Sequence, residues 1–192
     1  MAEKNKENKL KINPKSFNKL NLGCGINYWQ GWVNLDFNKE VKADVYADFE
    51  KKLPFEDNTF DHIYTHYVLE HTQDFFRLMD ELYRICKPNA TIEVYVPHFT
   101  SIYSTKYAYH HQTFGIGSFI MFTSLSDNKQ KHGKVRFGII KEELRLLCEK
   151  DKLSWRIFHI VDKLFNQSKR WQQVWERLFV FDEVYYKLKV LK

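Results

Sequence analysis

Two glycines flank a cysteine near the start of the chain, and an aspartate follows eleven residues after the second glycine. Gly23, Cys24 and Gly25 close the apolar run LNLGCG, and Asp36 ends the next apolar run, GWVNLD. Glycines lack a Cβ atom, so they permit positive φ and let a ligand contact the backbone. A carboxylate that ends the neighbouring strand can accept two hydrogen bonds from the vicinal hydroxyls of a ribose. The pattern therefore predicts a nucleoside site in which Asp36 binds the sugar.

The same glycines do not predict a phosphate site. The dinucleotide fingerprint GxGxxG requires a third glycine, where this chain has Tyr28. The six steps from Gly25 to Gly31 span at most about 20 Å, barely enough to return along a strand of roughly 17 Å. No crossover helix fits, so a pyrophosphate would lack the helix N-terminus that normally binds it. The GCG segment alone is also compatible with a tight turn that has only a structural role.

The elements that must position these residues alternate between strand and helix. Short apolar runs predict strands at LNLG, WVNLDF, ADVYADF, FDHIYTHYV and TIEVYVP. Thr72 is a candidate cap for a helix in which Phe75, Met79 and Leu82 recur at helical spacing. This alternation is typical of a parallel sheet covered by helices.

The second half of the chain is less regular. Residues 98–134 are rich in aromatic side chains and include His98, His110 and His111, which predicts a folded insertion that covers the substrate side as a lid. KVRFGII predicts a strand, and KEELRLLCEK fits either a helix or an extension of that strand. Apolar residues from 153 to 178 recur at helical spacing, and EVYYKLKV alternates like a final strand.

Charge and composition limit the classes of protein that the chain can belong to. Residues 1–16 form a lysine-rich polar segment, predicted to be a flexible tail, and residues 17–192 are predicted to form one domain. Residues 1–20 contain six lysines and two glutamates, a net charge of +4 out of the total of +6, so the charge does not form a basic patch on a folded face and a nucleic-acid partner is not favoured. The three cysteines support neither a disulfide framework nor a zinc site, and no metal site is predicted. Without an apolar leader or a membrane span, we expect a cytoplasmic protein.

Several longer motifs occur in a familiar order. LNLGCG, NLD, YADF, LPFEDNTFDHIYTHYVLEH and LYRICKPNATIEVYVPHF resemble, in order and spacing, the small single-domain class I S-adenosylmethionine-dependent methyltransferases. The resemblance is clear over residues 18–99 and fainter beyond them. It implies a Rossmann-like, mostly parallel seven-stranded sheet with helices on both faces and an antiparallel last strand. The distance argument adds a shortened first crossover.

The resemblance also implies roles for individual residues around S-adenosylmethionine. Gly23, Cys24 and Gly25 would line the methionine and ribose, and Asp36 would bind the ribose hydroxyls. Asn21 stands where the family usually has an acidic residue that holds the methionine amine. The remaining implied cofactor contacts are Asp48 and Phe49 at the adenine, Leu53, Pro54 and Phe55 as pocket walls, and Thr65, His66 and Tyr67 near the methyl group.

A hydroxyl acceptor would benefit from a general base, and histidine titrates in the appropriate range. His66 is the first candidate because it lies at the exit of the fourth predicted strand, and His71 and His98 follow. Each can instead be structural, as His71 beside the following helix illustrates. We expect methyl transfer to a small molecule, with a hydroxyl of a saccharide or metabolite as the first choice. A binding module without turnover and a nucleic-acid methyltransferase remain alternatives.

Overall fold

The computed structural model describes residues 18–124, 136–146 and 160–192. Seven strands form one sheet in the order β3-β2-β1-β4-β5-β7-β6. The predicted tail and the end of the predicted lid lie outside the described residues, as does Cys148. The strands are β1 (Lys19–Leu22), β2 (Val33–Asp36), β3 (Val45–Tyr46), β4 (Phe60–His66), β5 (Cys86–Pro97), β6 (Phe137–Arg145) and β7 (Glu183–Val190).

The sheet confirms the predicted Rossmann-like α/β class. Strands β1 to β5 pair in parallel, whereas β7 pairs antiparallel with both β5 and β6. Apolar runs form these strands because they are buried among their neighbours, as Leu20, Leu22 and Ile63 are. The strand order reverses between β1 and β4, so their carboxyl ends flank the crevice where open α/β sheets bind ligands.

The first crossover contains no helix, as the short spacing predicts, and buried amides hold it in place. Asn34 on β2 accepts a hydrogen bond from the Trp29 backbone amide at 2.8 Å and donates to the Trp29 carbonyl at 2.9 Å. Its side chain also bonds Asn21 on β1 and Asp44 before β3. Asn21 donates in addition to the Asn27 carbonyl at 2.8 Å. These side chains satisfy the polar groups of a loop that has no regular structure of its own.

Helix α1 (Phe75–Ile85) connects β4 to β5 and buries one amphipathic face, including Leu78 and Leu82. Its N-cap is Asp74, whose side chain accepts from the Arg77 amide, and not Thr72. Thr72 ends the preceding 3-10 turn Leu69–His71, where its hydroxyl donates to the Leu69 carbonyl. The predicted helix was therefore correct, but the predicted cap lies two residues too early.

Leu53 and Phe55 belong to the hydrophobic core rather than to an open pocket wall. Arg84 on α1 donates to the backbone carbonyls of both residues, at 3.1 and 2.8 Å. Their burial fixes the connection from β3 to β4 against the helix.

The second half completes the sheet. The KEELR segment extends β6, because Glu142 and Leu144 pair with Tyr186 and Val184 of β7. Helix α2 (Ile102–Thr105) is short, helical residues occur at 160–165, and α3 (Lys169–Leu178) begins after its cap Ser168. Within the described ranges, no helix has the length and apolar character that a membrane crossing requires.

Candidate active site at the carboxyl ends of β1, β2 and β4

The glycine turn and Asp36 are joined directly. The Gly25 amide donates to Asp36 Oδ2 at 2.8 Å, and the Asn38 amide donates to Asp36 Oδ1 at 2.9 Å. Asp36 is only 6% exposed. Each carboxylate oxygen can accept a further hydrogen bond. The arrangement therefore holds an ionisable acceptor beside a glycine backbone, as the sequence predicts.

The two glycines have different surroundings. Both have positive φ, 68° at Gly23 and 51° at Gly25. A Cβ atom on Gly23 would overlap Val68 Cγ2, whereas one on Gly25 would meet no atom within 4 Å among the described residues. Gly23 thus allows the turn after β4 to pack against the end of β1. Gly25 borders open space next to Asp36, which is where a ligand could contact the backbone.

Cys24 lies between these glycines but directs its sulfur away from them. Its Sγ atom is 3.6 Å from the Lys42 carbonyl oxygen, in the connection from β2 to β3. Burial, followed by the nearby Asp36 carboxylate, raises the pKa of the thiol to about 11. At neutral pH it stays protonated and is a poor nucleophile.

The Asn21 side chain is engaged within the protein. Both amide hydrogens of its side chain are bonded within the first crossover, to Asn27 and Asn34. Asn21 is 2% exposed. It therefore positions the loop between β1 and β2, and the sequence reasoning missed its partner Asn34.

Asp48 and Phe49 follow β3 in a short turn. Asp48 accepts from the Glu50 amide at 2.9 Å and lies 3.2 Å from the Lys51 ammonium. These hydrogen bonds lower the pKa of the Asp48 carboxyl, so it is ionised at neutral pH. The Phe49 ring meets the edge of Phe37, which is 69% exposed. Two aromatic rings and a carboxylate thus stand next to the end of β2.

Two buried hydroxyls at the end of β4 have no hydrogen-bond partner in the described part of the chain. They belong to Thr65 and Tyr67. Tyr67 also has a φ of 57°, which is uncommon for a bulky residue and is typical of functional sites. Buried polar groups are normally paired, so these hydroxyls are candidates to bind a polar ligand.

His66, at the exit of β4, pairs with a carboxylate on β7. Its Nε2 atom lies 3.1 Å from Glu183 Oε2, and the His66 ring stacks on Tyr67 with the centroids 4.2 Å apart. The side chain of Glu183 is 3% exposed, whereas that of His66 is 39% exposed. Arg145 approaches the other oxygen of Glu183 at 3.6 Å. A buried carboxylate that orients a partly exposed imidazole is the arrangement of an assisted general base.

The other two candidate histidines lie elsewhere. His98 is fully buried, and its ring nitrogens lie 2.6 Å from the Thr100 hydroxyl and 3.1 Å from Glu176 Oε1. It therefore connects the end of β5 to α3 and has no access to a substrate. His71 is exposed and lies beside His110, with the two rings 4.6 Å apart. Burial lowers the pKa of His71, and His110 and His111 lower it further.

Three residues near the site escape sequence reasoning. Glu183 is more than one hundred residues from His66 and reaches it only because β7 inserts next to β5. Phe37 is visible only as the residue after the predicted ribose carboxylate. Glu70 is 1% exposed, and burial raises the pKa of its carboxyl to about 8. An acidic residue in the LEH segment gives no sequence signal of such burial.

Comparisons with known proteins agree with this geometry. Residues 20–94 match the family model described as a methyltransferase domain. A solved S-adenosylmethionine-dependent methyltransferase from Archaeoglobus fulgidus is 17% identical with a TM-score of 0.58, covering 89% of this chain and 85% of that one. A second such enzyme, from Mesorhizobium loti, is 15% identical with a TM-score of 0.54, covering 90% of both chains.

A third similar structure is a protein in complex with the Trm112 methyltransferase activator of Haloferax volcanii. It is 15% identical with a TM-score of 0.59, covering 92% of this chain and 83% of that one. No curated protein matches the chain. At these identities the structural likeness establishes the fold, and the family model adds the sequence pattern of the first half. Together they confirm the resemblance on which the site was predicted.

Proposed function

We propose that the chain is a class I S-adenosylmethionine-dependent methyltransferase, which binds S-adenosylmethionine and methylates a hydroxyl of a small molecule. The hydrogen bond from the Gly25 amide to Asp36, beside the open space at Gly25, carries this proposal. It combines a sugar-binding carboxylate with an accessible backbone at the switch point of the sheet.

The surrounding residues fit the parts of this cofactor. Asp36 would accept the ribose hydroxyls, while Asp48, Phe49 and the exposed Phe37 would hold the adenine. The glycine turn would contact the ribose and methionine backbone. The unpaired hydroxyls of Thr65 and Tyr67 offer polar partners at the end of β4, where the methionine and its methyl group would lie. Because Asn21 is bonded within the first crossover, it would support this pocket rather than contact the amine.

S-Adenosylmethionine, when bound, supplies a methyl group that its sulfonium already activates. The protein then gains most by holding the acceptor oxygen in line, about 3 to 3.5 Å from the methyl carbon, with water excluded. His66 is the residue that we propose as the general base. With Nε2 donating to Glu183, Nδ1 is free to accept the proton of the acceptor hydroxyl. The buried Glu183 carboxylate would stabilise the imidazolium that results.

Exposed aromatic rings favour a small acceptor, with a saccharide or metabolite hydroxyl as the first choice. Tyr103 is 40% exposed and Tyr107 is 46% exposed, and both follow β5 on the same edge of the sheet as His66. Such rings can stack on a sugar. Residues 99–112 are therefore the described part of the predicted lid that best suits substrate contact, because Phe114, Phe119 and Phe122 are buried against Phe75.

Calorimetric titration with S-adenosylmethionine and, separately, with NAD tests the cofactor. We expect saturable binding of the first and none of the second. Asp36→Asn should weaken the affinity roughly 10- to 100-fold, because a hydrogen bond to a charged group contributes about 1.5 to 3 kcal/mol. Asp61→Asn is the matched control, because Asp61 lies in β4 near its amino end, at the opposite edge of the sheet from the site, and pairs with Lys87. Equal affinities of the two variants would contradict the proposed site.

Turnover requires a separate measurement. Release of S-adenosylhomocysteine with a panel of saccharide and small hydroxyl acceptors should reveal an acceptor-dependent rate. Cofactor binding without turnover on any acceptor would favour the binding-module alternative. Turnover on RNA or DNA, with an affinity that falls steeply as salt rises, would favour the nucleic-acid alternative.

A further inference from the structure

We infer that Glu70, His71 and His110 form a binding site for a divalent transition-metal cation. One potential ligand atom from each of the three residues lies within 4.8 Å of the other two. Two imidazoles and one carboxylate form a donor set that suits Zn²⁺, Fe²⁺ or Co²⁺ better than Mg²⁺, which prefers oxygen ligands. The sequence predicts no such site, because His110 is distant along the chain from the adjacent pair Glu70 and His71.

The carboxylate provides independent support for a ligand. Glu70 is 1% exposed, and its Oε2 atom is buried without a hydrogen-bond partner in the described part of the chain. A buried carboxylate oxygen without a partner is costly, and buried charges are normally paired or coordinate metals. Neither His71 nor His110 forms an ion pair with Glu70 within 4.0 Å. The two imidazole rings contact each other edge to face, with their centroids 4.6 Å apart, and neither is paired with the buried carboxylate.

A backbone carbonyl holds the His110 ring, as is common for metal-ligating histidines. His110 Nδ1 lies 3.0 Å from the Ser104 carbonyl oxygen, to which it can only donate, so Nε2 keeps its lone pair. A metal-ligating histidine commonly donates its second nitrogen to a backbone carbonyl, which fixes the tautomer and the ring orientation.

The backbone holds the two halves of the cluster together. The amides of His111 and Gln112 both donate to the Glu70 carbonyl oxygen, at 2.8 and 3.2 Å. With metal–ligand bonds of about 2.0 to 2.2 Å, two ligands of a tetrahedral site lie roughly 3.4 Å apart, so the cluster must contract by about 1.4 Å at most. The exposed His71 side chain can rotate to supply this movement.

Three protein ligands leave at least one coordination position for water or a substrate oxygen. Tyr67 lies between this cluster and the His66 region: its ring stacks on His66, and burial, followed by the charges of Glu183 and Glu70, raises the pKa of its hydroxyl. Coordination of the acceptor oxygen at the open position rests on the proposed function. Cation binding itself does not, because it involves neither Asp36 nor His66.

The test uses the full chain without a histidine tag, titrated with Zn²⁺ by calorimetry and with Co²⁺ by visible spectroscopy. We expect one cation per chain, together with Co²⁺ d–d bands. His110→Gln and His71→Gln should each weaken the affinity at least tenfold. His71 is exposed, so its replacement does not endanger folding, which circular dichroism would verify. The matched control is His111→Gln, an exposed neighbour outside the cluster, and its affinity should stay within twofold of the original.

Two results would overturn the inference: no saturation at one equivalent, or equal loss of affinity in His111→Gln and His71→Gln. Titration of each variant with S-adenosylhomocysteine, in the absence of metal, distinguishes failure of the metal site from failure of the proposed function. A chain that binds the nucleoside compound but no cation would refute only the metal site. A chain that binds the cation but not the compound would refute only the methyltransferase proposal.

Discussion

Replacing each glycine of the GCG turn by alanine separates a structural role from a ligand-binding role. Both positions have positive φ, where an alanine costs roughly 1 to 2 kcal/mol. At Gly23 the new methyl group also overlaps Val68, and overpacking of this kind costs about 1 to 3 kcal/mol. We therefore expect Gly23→Ala to lower the free energy of unfolding by roughly 2 to 5 kcal/mol, from these two costs together. Gly25→Ala should lower it only by roughly 1 to 2 kcal/mol.

Among the variants that fold, the affinity for the cofactor product S-adenosylhomocysteine should fall more in Gly25→Ala than in Gly23→Ala. The methyl group of Gly25→Ala would occupy the open space beside Asp36, so we expect the affinity for S-adenosylhomocysteine to fall at least tenfold, or about 1.4 kcal/mol. Gly31→Ala is the matched control, because Gly31 also has positive φ and open surroundings but lies at the far end of the crossover. Urea unfolding and calorimetric titration measure the two quantities. Equal affinities of Gly25→Ala and Gly31→Ala would refute the assignment of this space to the cofactor.

Three further results are expected. Once an acceptor is known, His66→Gln should lower kcat by about 10²- to 10⁴-fold and Glu183→Gln by less, while both keep their affinity for S-adenosylhomocysteine. A normal kcat in His66→Gln would show that His66 is not the general base. Asn34→Ala should lower the free energy of unfolding by about 3 kcal/mol in urea, because it leaves several crossover groups unpaired, and a loss below 1 kcal/mol would contradict that role. In a Cys148→Ser background, the buried thiols of Cys24 and Cys86 should both resist a disulfide reagent at pH 8 until the chain unfolds. Stability should decline as pH rises from 9 through about 11 and 12, because burial raises the pKa of Cys24 to about 11 and that of Cys86 to about 12, above the unfolded value.

Much of the sheet is predictable because its strands are local apolar runs closed by recognisable turns. The predicted strands LNLG, WVNLDF and FDHIYTHYV correspond to β1, β2 and β4, which end at Leu22, Asp36 and His66, within two residues of the predicted ends. KEELR is different, because its apolar spacing fits a helix as well as a strand, and only pairing with β7 decides between them. The helix cap moved from Thr72 to Asp74 because the LEH segment forms its own 3-10 turn, which uses the Thr72 hydroxyl.

The candidate site is predictable where its residues lie at the ends of parallel strands that are consecutive in the sequence. Gly25 and Asp36 belong to consecutive parallel strands, so their carboxyl ends must be neighbours, and a hydrogen bond joins them. Contacts made by the antiparallel strand are not predictable in this way. Glu183 reaches His66 through the order of β5 and β7, and His110 reaches Glu70 through a loop whose path no periodicity reveals.

The short first crossover explains why Asn21 differs from the acidic residue that the family usually has there. A crossover helix would satisfy its own backbone, whereas this loop depends on the side chains of Asn21, Asn34 and Asp44. An amide can donate to the Asn27 carbonyl, and a carboxylate at the same position could not. An aspartate at position 21 would therefore disrupt the loop that borders the glycine turn. The Asn21 amide is thus committed to the loop, and under the proposed function the methionine amine would find its partners at the end of β4.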